Sequence, residues 1–274
     1  MTEQNVTSTE VNRDEVSINN TLWRVKVSVI TLIGIALALV IIPYIFRDDG
    51  GLLEPQQPLP IAETAVPVRT LCLSAHRKYP FASEDAATRE RAWDMLQRGL
   101  HLCSELGIPI IQTQGHDVYY EPSTGTTWKR YEEAMHRAAE MCRGASVMLG
   151  LENADKPSVG SLDQARVLIE RTGNPWFQMY PDIGNVIAHG YAVGPELLRA
   201  APHIVAVHIK DARPGEFRRV PFGEGTVPFG EAFAALQEIS YQGPFVIEMW
   251  NEAQGDAESV IREALAWVRE RMGV

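Results

Sequence analysis

The chain has few cysteines, no surplus of positive charge, no internal repeat and no low-complexity tract. Its three cysteines, Cys72, Cys103 and Cys142, are an odd number with no C-x-x-C pair. That argues against a disulfide framework and against a cysteine-rich zinc site, and reads as free buried thiols in a reducing compartment. Lysine and arginine total 25 against 35 acidic residues, a formal net charge of −10. This excludes a general nucleic-acid-binding surface, whose affinity rests on Lys/Arg contacts to phosphates. It leaves room for a small basic pocket that takes one anionic substrate. The 17 prolines and 21 glycines are dispersed, which excludes a disordered or collagen-like chain. What remains is ordinary globular composition at 274 residues, enough for a barrel of about 250 residues.

Residues 1–21 form a polar arm. Within the next segment, 22–47, the run from Val27 to Phe46 carries no charge over twenty residues, the length that crosses a bilayer core. It is too long, and its polar arm too extended, for a cleaved signal peptide. It reads as a single transmembrane anchor. Arg13, Arg24 and Lys26 precede it and only Arg47 follows closely, so the positive-inside rule puts the bulk of the chain outside the cytoplasm. Residues 48–67 contain four prolines without periodicity and read as a linker. The folded domain is expected over 68–274.

From Val68 onward, short apolar strands alternate with helices. Strands are expected at 69–74, 109–113, 146–152, 176–182, 204–211 and 244–250. Helices are expected from a cap at Ser83 or Asp85 to Leu106, then at 126–143, 161–172, 194–200, 230–239 and 256–272. Alternation of this kind implies a parallel α/β sheet. Six strand–helix units are present where a complete (β/α)8 barrel has eight. The apolar anchor stands where the first two would be. An incomplete barrel exposes the edges of the two strands beside the gap, which a homodimer or a separate chain would cover.

Four successive strands finish on residues of metal-ligand type: Glu152, Asp182, His208 and Glu248. Strand C-termini converge at one mouth of such a barrel. Three carboxylates and one imidazole suit a divalent ion such as Mn2+, Zn2+ or Mg2+. Phosphate donors are sought in His76, Lys210, Arg218 and the amides of Gly223 and Gly225 in a glycine-rich turn. His116 and His189 are weaker candidates for the pocket rim, and Trp250 for its wall. His101, His136 and His203 read as structural or surface residues.

These stretches resemble one family. C-L-S-A-H-R-K-Y-P-F (72–81), G-H-D-V-Y-Y-E (115–121), N-P-W-F-Q-M-Y-P-D-I-G-N (174–185), H-I-V-A-V-H-I-K-D (203–211), F-R-R-V-P-F-G-E-G (217–225) and F-V-I-E-M-W (245–250) occur in that order. They are similar to the L-ribulose-5-phosphate 3-epimerases, which include L-xylulose-5-phosphate 3-epimerases and proteins called hexulose-6-phosphate isomerases, among the xylose-isomerase-like TIM barrels. The likeness covers about 66–274. It implies one divalent metal on Glu152, Asp182, His208 and Glu248, with Glu152 and Glu248 doubling as acid and base. It also implies a sugar-phosphate substrate and a cytoplasmic enzyme, at odds with the orientation above. Physically, epimerisation beside a ketone needs a poorly acidic C–H proton removed from one face and one returned to the other, through an enediolate that a metal stabilises. Two alternatives stay open: an epimerase or isomerase of an unphosphorylated sugar or hydroxy-ketone, and an inactive membrane-tethered partial barrel.

Overall fold

The computed structural model describes residues 67–250 and 256–273. The polar arm, the apolar segment 22–47 and all but the last residue of the linker lie outside them. Among the described residues no helix is long and apolar enough to cross a membrane.

Among the described residues, six strands alternate with helices. They are β1 (Thr70–Cys72), β2 (Ile110–Gln114), β3 (Met148–Glu152), β4 (Phe177–Met179), β5 (Val207–Ile209) and β6 (Phe245–Ile247). The helices are α1 (Ala86–Leu106), α2 (Gly125–Ala145), α3 (Leu162–Thr172), α4 (Ile183–Ala188), α5 (Val193–Ala200), α6 (Phe229–Glu238) and α7 (Ala257–Met272). The helix starts are written in side-chain caps. Asp85 accepts from the Thr88 amide at 2.7 Å to open α1, while Ser83 accepts instead from the amide of Asp85. Thr124 with Thr127, and Ser161 with Gln164, form reciprocal capping boxes at α2 and α3. Gly107, Gly173 and Gly273 end α1, α3 and α7 in the left-handed conformation.

All strand pairs are parallel. β1 to β4 pair in sequence order, and β5 pairs with β6. Isolated parallel bridges Met179↔Ile204 and Asp182↔His208 join the two groups. Main-chain bonds from Val205 to Met179 and from His208 to Pro181 carry the ladder across. The order is therefore β1-β2-β3-β4-β5-β6, six strands of a barrel wall. Among the described residues β1 and β6 each pair on one side only.

Most of the core lies between the strands and the surrounding helices. A smaller apolar group of Ile110, Tyr180 and Ala206 fills the inside of the wall. Tyr180 is fully buried there, and its hydroxyl lies 3.4 Å from the Thr70 hydroxyl of β1. Gly150 on β3 makes room for it, since an added Cβ would meet Tyr180 at 3.3 Å.

Candidate metal centre

Strand register, not loop contact, sets the centre. Glu152 is the last residue of β3, opposite Gln114 of β2. Asp182 lies just past β4 and bridges directly to His208 of β5. The amide of Glu248 donates to Ile209 at 2.9 Å, which holds the end of β6 level with the end of β5. His208 and Lys210 are two apart, so both side chains face inward.

One ligand atom from each of Glu152, Asp182, His208 and Glu248 lies within 4.8 Å of all the others. His208 Nδ1 is 2.8 Å from Glu152 Oε1, 3.2 Å from Glu248 Oε2 and 3.8 Å from Asp182 Oδ2. Glu152, Asp182 and His208 are buried and Glu248 is partly open to the mouth. A second layer fixes the orientations. Gln112 donates to Glu152 Oε2 at 2.7 Å. Asn153 exchanges bonds with the Asp182 main chain, and Asn185 donates to the Asn153 carbonyl. The Asn185 amide donates to Asp182 Oδ1, so Asp182 also caps α4.

That cap leaves Asp182 Oδ2 aimed at the centre. Asp182 Oδ2 and Glu248 Oε2 are buried and accept no well-formed hydrogen bond, although the Lys210 ammonium sits 2.7 Å from the first and 3.8 Å from the second. Three carboxylates around one buried ammonium leave negative charge in excess, which calls for a further cation. Three carboxylates and one imidazole fit a divalent ion in charge and ligand type.

The electrostatics show how crowded the centre is. Burial raises the Asp182 carboxyl to about 7, with Lys210 opposing and Glu248 and Glu152 adding to the rise. Burial also acts to raise Glu248, but Lys210 and then His208 outweigh it and hold that carboxyl below its ordinary range. Burial opposes the charged form of His208, yet the three carboxylates overcome it and raise the imidazole. Lys210 is raised in the same way, chiefly by Asp182 against the effect of burial.

The phosphate candidates scatter. Lys210 is spent on Asp182 and belongs to the metal centre. The amides of Gly223 and Gly225 both donate to Asp211 Oδ2, at 2.8 and 2.9 Å. The anion nest of that turn is therefore already filled by a carboxylate of the chain. Arg218 lies in the loop after β5, on the Tyr119 hydroxyl and the Asp155 carboxylate. His76 is buried with Nε2 on the Ala92 carbonyl. His116 is buried against the Tyr119 ring, and His189 donates to the Ala154 carbonyl. The Trp250 ring lies 5.8 Å from Lys210 Nζ, at the mouth. Gln112, Asn153 and Asn185 escaped sequence reasoning. Gln112 is a polar residue in the middle of buried β2, and Asn153 directly follows the end of β3.

The profile of the family described as "Xylose isomerase-like TIM barrel" matches residues 61–271. L-ribulose-5-phosphate 3-epimerase of Escherichia coli O139:H28 is 42% identical over 212 residues, covering 77% of this chain and 75% of its own. The solved structure of an L-ribulose 3-epimerase superposes with a TM-score of 0.68 at 22% identity, covering 78% of this chain and 77% of that one. A protein named IOLI, solved with a bound zinc atom, superposes at 0.63 with 16% identity, covering 75% of each chain.

Proposed function

The chain belongs to the xylose isomerase-like TIM-barrel family, and on that premise we propose that it is a metal-dependent 3-epimerase of a ketopentose 5-phosphate, interconverting L-ribulose 5-phosphate and L-xylulose 5-phosphate. Its curated relative is a carbohydrate epimerase, an isomerase by class. The observation that carries the reading is the convergence of Glu152, Asp182, His208 and Glu248 within 4.8 Å at the strand C-termini.

Glu152, Asp182, His208 and Glu248 would hold one divalent ion, Mn2+, Zn2+ or Mg2+. Such an ion supplies Lewis-acid stabilisation of the negative charge that collects on the ketone oxygen. The rest is the work of side chains. Glu152 and Glu248 come from non-adjacent strands, β3 and the end of β6, and so reach C3 from two sides. One takes the C3 proton and the other returns a proton to the opposite face. Gln112 donates to one oxygen of Glu152 at 2.7 Å and His208 lies 2.8 Å from the other, which holds the carboxylate in place. Asn185 fixes Asp182 through the helix cap. Lys210 screens the like charges of Asp182 and Glu248 from one another.

The test is conversion of L-ribulose 5-phosphate by the full chain after chelation and after adding back Mn2+ or Zn2+. Conversion that vanishes with the chelator and returns with the ion supports the proposal. No conversion with any divalent ion refutes it. Faster turnover of free L-ribulose than of its phosphate would instead favour the unphosphorylated-sugar alternative.

A further inference from the structure

A buried positive charge stands inside the candidate metal centre, where a positive ion should go. The Lys210 ammonium lies 2.7 Å from Asp182 Oδ2 and 3.8 Å from Glu248 Oε2. Among the described residues, no other lysine and no arginine pairs with Glu152, Asp182 or Glu248.

The ammonium is fixed from both ends. Lys210 directly follows β5, and its stem lies against the start of α4, where residue 184 is glycine. A Cβ there would meet Lys210 Cγ at 2.5 Å, the Lys210 carbonyl oxygen at 3.0 Å and Cε at 3.1 Å, so a side chain at 184 would displace the stem. Its partner is held as firmly. The Asn185 amide donates to Asp182 Oδ1 at 2.8 Å, and Asn153 bonds to the Asp182 main chain on both sides. Buried and packed in this way, the ammonium stays beside the carboxylates whether or not an ion is bound.

A fixed charge at this place has two consequences. Three ionised carboxylates carry −3 and a divalent ion +2, so ion and ligands alone sum to −1 with His208 neutral. Lys210 brings the sum to zero. The ammonium repels the ion at a separation of a few ångström, where charges interact strongly in a protein interior, and so loosens its hold. The same charge keeps the loaded centre from repelling an anion. Negative charge develops on the substrate oxygens during enolisation, and a centre of net charge −1 would resist it.

We infer that Lys210 sets the charge of the loaded centre: it weakens binding of the divalent ion and strengthens binding of an anionic enediolate to that ion. The inference rests on the metal-dependent reading above and gives the centre a member that opposes the ion. A lysine present only to orient Asp182 would do the reverse, since orienting a ligand helps the ion to bind. The two roles predict opposite signs.

The experiment titrates the full chain with Mn2+ by calorimetry at pH 8, comparing wild type, Lys210→Met and Lys210→Gln. Glutamine keeps an N–H donor for Asp182 and removes the charge. Both variants are expected to bind one Mn2+ per chain roughly ten- to a hundredfold more tightly than wild type, the usual scale for a residue in contact with metal ligands. A second titration adds glycolohydroxamate, a planar anionic analogue of an enediolate, to the Mn2+-loaded proteins. Its binding should weaken by a similar factor in both variants. Lys129→Met removes an exposed charge on α2 and should change neither titration. Circular dichroism checks that each variant is folded, and Lys210→Gln alone carries the test if Lys210→Met is not. Mn2+ binding in the folded variants that equals or falls below wild type overturns the inference, and so does undiminished glycolohydroxamate binding. A glutamine variant that behaves as wild type in both titrations shows a hydrogen bond at work rather than a charge, and overturns it too. Conversion of L-ribulose 5-phosphate by wild type separates the two claims. If it proceeds while the variants hold Mn2+ no more tightly, Lys210 lacks this role and the proposed reaction stands. If both titrations shift as expected and no pentulose phosphate reacts, Lys210 keeps the role and the proposed reaction fails.

Discussion

Replacing Lys210 with methionine should make the metal-free protein much weaker and the metal-bound protein nearly as strong as wild type. Lys210 is almost wholly buried, 2.7 Å from Asp182 Oδ2 and 3.8 Å from Glu248 Oε2. Glu152, Asp182 and Glu248 together carry −3 when ionised. Lys210 reduces this to −2, and one divalent ion brings it to zero with His208 neutral. Methionine fills similar space without the charge. Removing one partner of a buried ion pair costs about 3–5 kcal/mol. For a domain of this size that corresponds to a fall in Tm of roughly 6–20 °C. A bound ion offsets the uncompensated carboxylate charge, so adding Mn2+ should raise Tm more in the variant than in wild type. The assay is thermal unfolding of both proteins at pH 8, with and without Mn2+, at equal protein concentration. A metal-free variant that melts with wild type, or a smaller metal-induced rise in the variant, would refute the assignment of Lys210 to the centre.

The Glu248→Gln variant keeps the shape of the side chain and an acceptor oxygen but cannot take a proton. Its kcat should fall by about 10²–10⁴-fold and stay low at saturating Mn2+ with one ion bound; recovery of more than half the activity would show a ligand role alone. Stability should fall on acidification from about pH 6.5 to about pH 4. Burial, with Arg77 assisting at His116 against Asp155 and Asp117, holds both His76 and His116 at about 4, so these imidazoles favour the fold above pH 6.5 and cease to as they are forced to protonate. Each full shift is worth roughly 3 kcal/mol; denaturant melts of His76→Gln/His116→Gln should be distinctly flatter across that window, and an unchanged slope would refute it. In Gly225→Ala, the new Cβ would overlap the Asp211 carboxylate and dislodge the bonds that fill the amide nest. A loss of about 1–3 kcal/mol is expected by chemical denaturation, and no loss would mean that Asp211 is not held there.

The strand–helix order and the four metal-type residues were legible because barrel topology turns sequence order into spatial order. A residue at each strand end must face the same mouth. The strands themselves are shorter than expected: β4, read at 176–182, is Phe177–Met179. Its last residues leave the ladder to turn into α4, and Asp182 becomes the cap of that helix. Helix α4 went unread because I-G-N-V-I-A combines a glycine with β-branched residues, a weak helix former, and its cap signal looked like a metal ligand alone. Lys210 could have been assigned to the centre from its i, i+2 spacing to His208. The glycine turn misled, because the carboxylate that fills it, Asp211, lies fourteen residues before Gly225. Arg218 was read as a phosphate donor; that it stands on Tyr119 and Asp155 was beyond reach, because only the closing of the loops after β2, β3 and β5 over one face brings the three together.

The central claim is inversion at C3 by proton exchange, and deuterium tests it most directly. The full chain with Mn2+ is incubated with L-ribulose 5-phosphate in heavy water and followed by proton NMR. The account predicts that the C3 proton signal is lost and that L-xylulose 5-phosphate appears bearing deuterium at C3. Epimer formed with the original proton retained, label entering only at C1 as an aldose forms, or no exchange at all would contradict it.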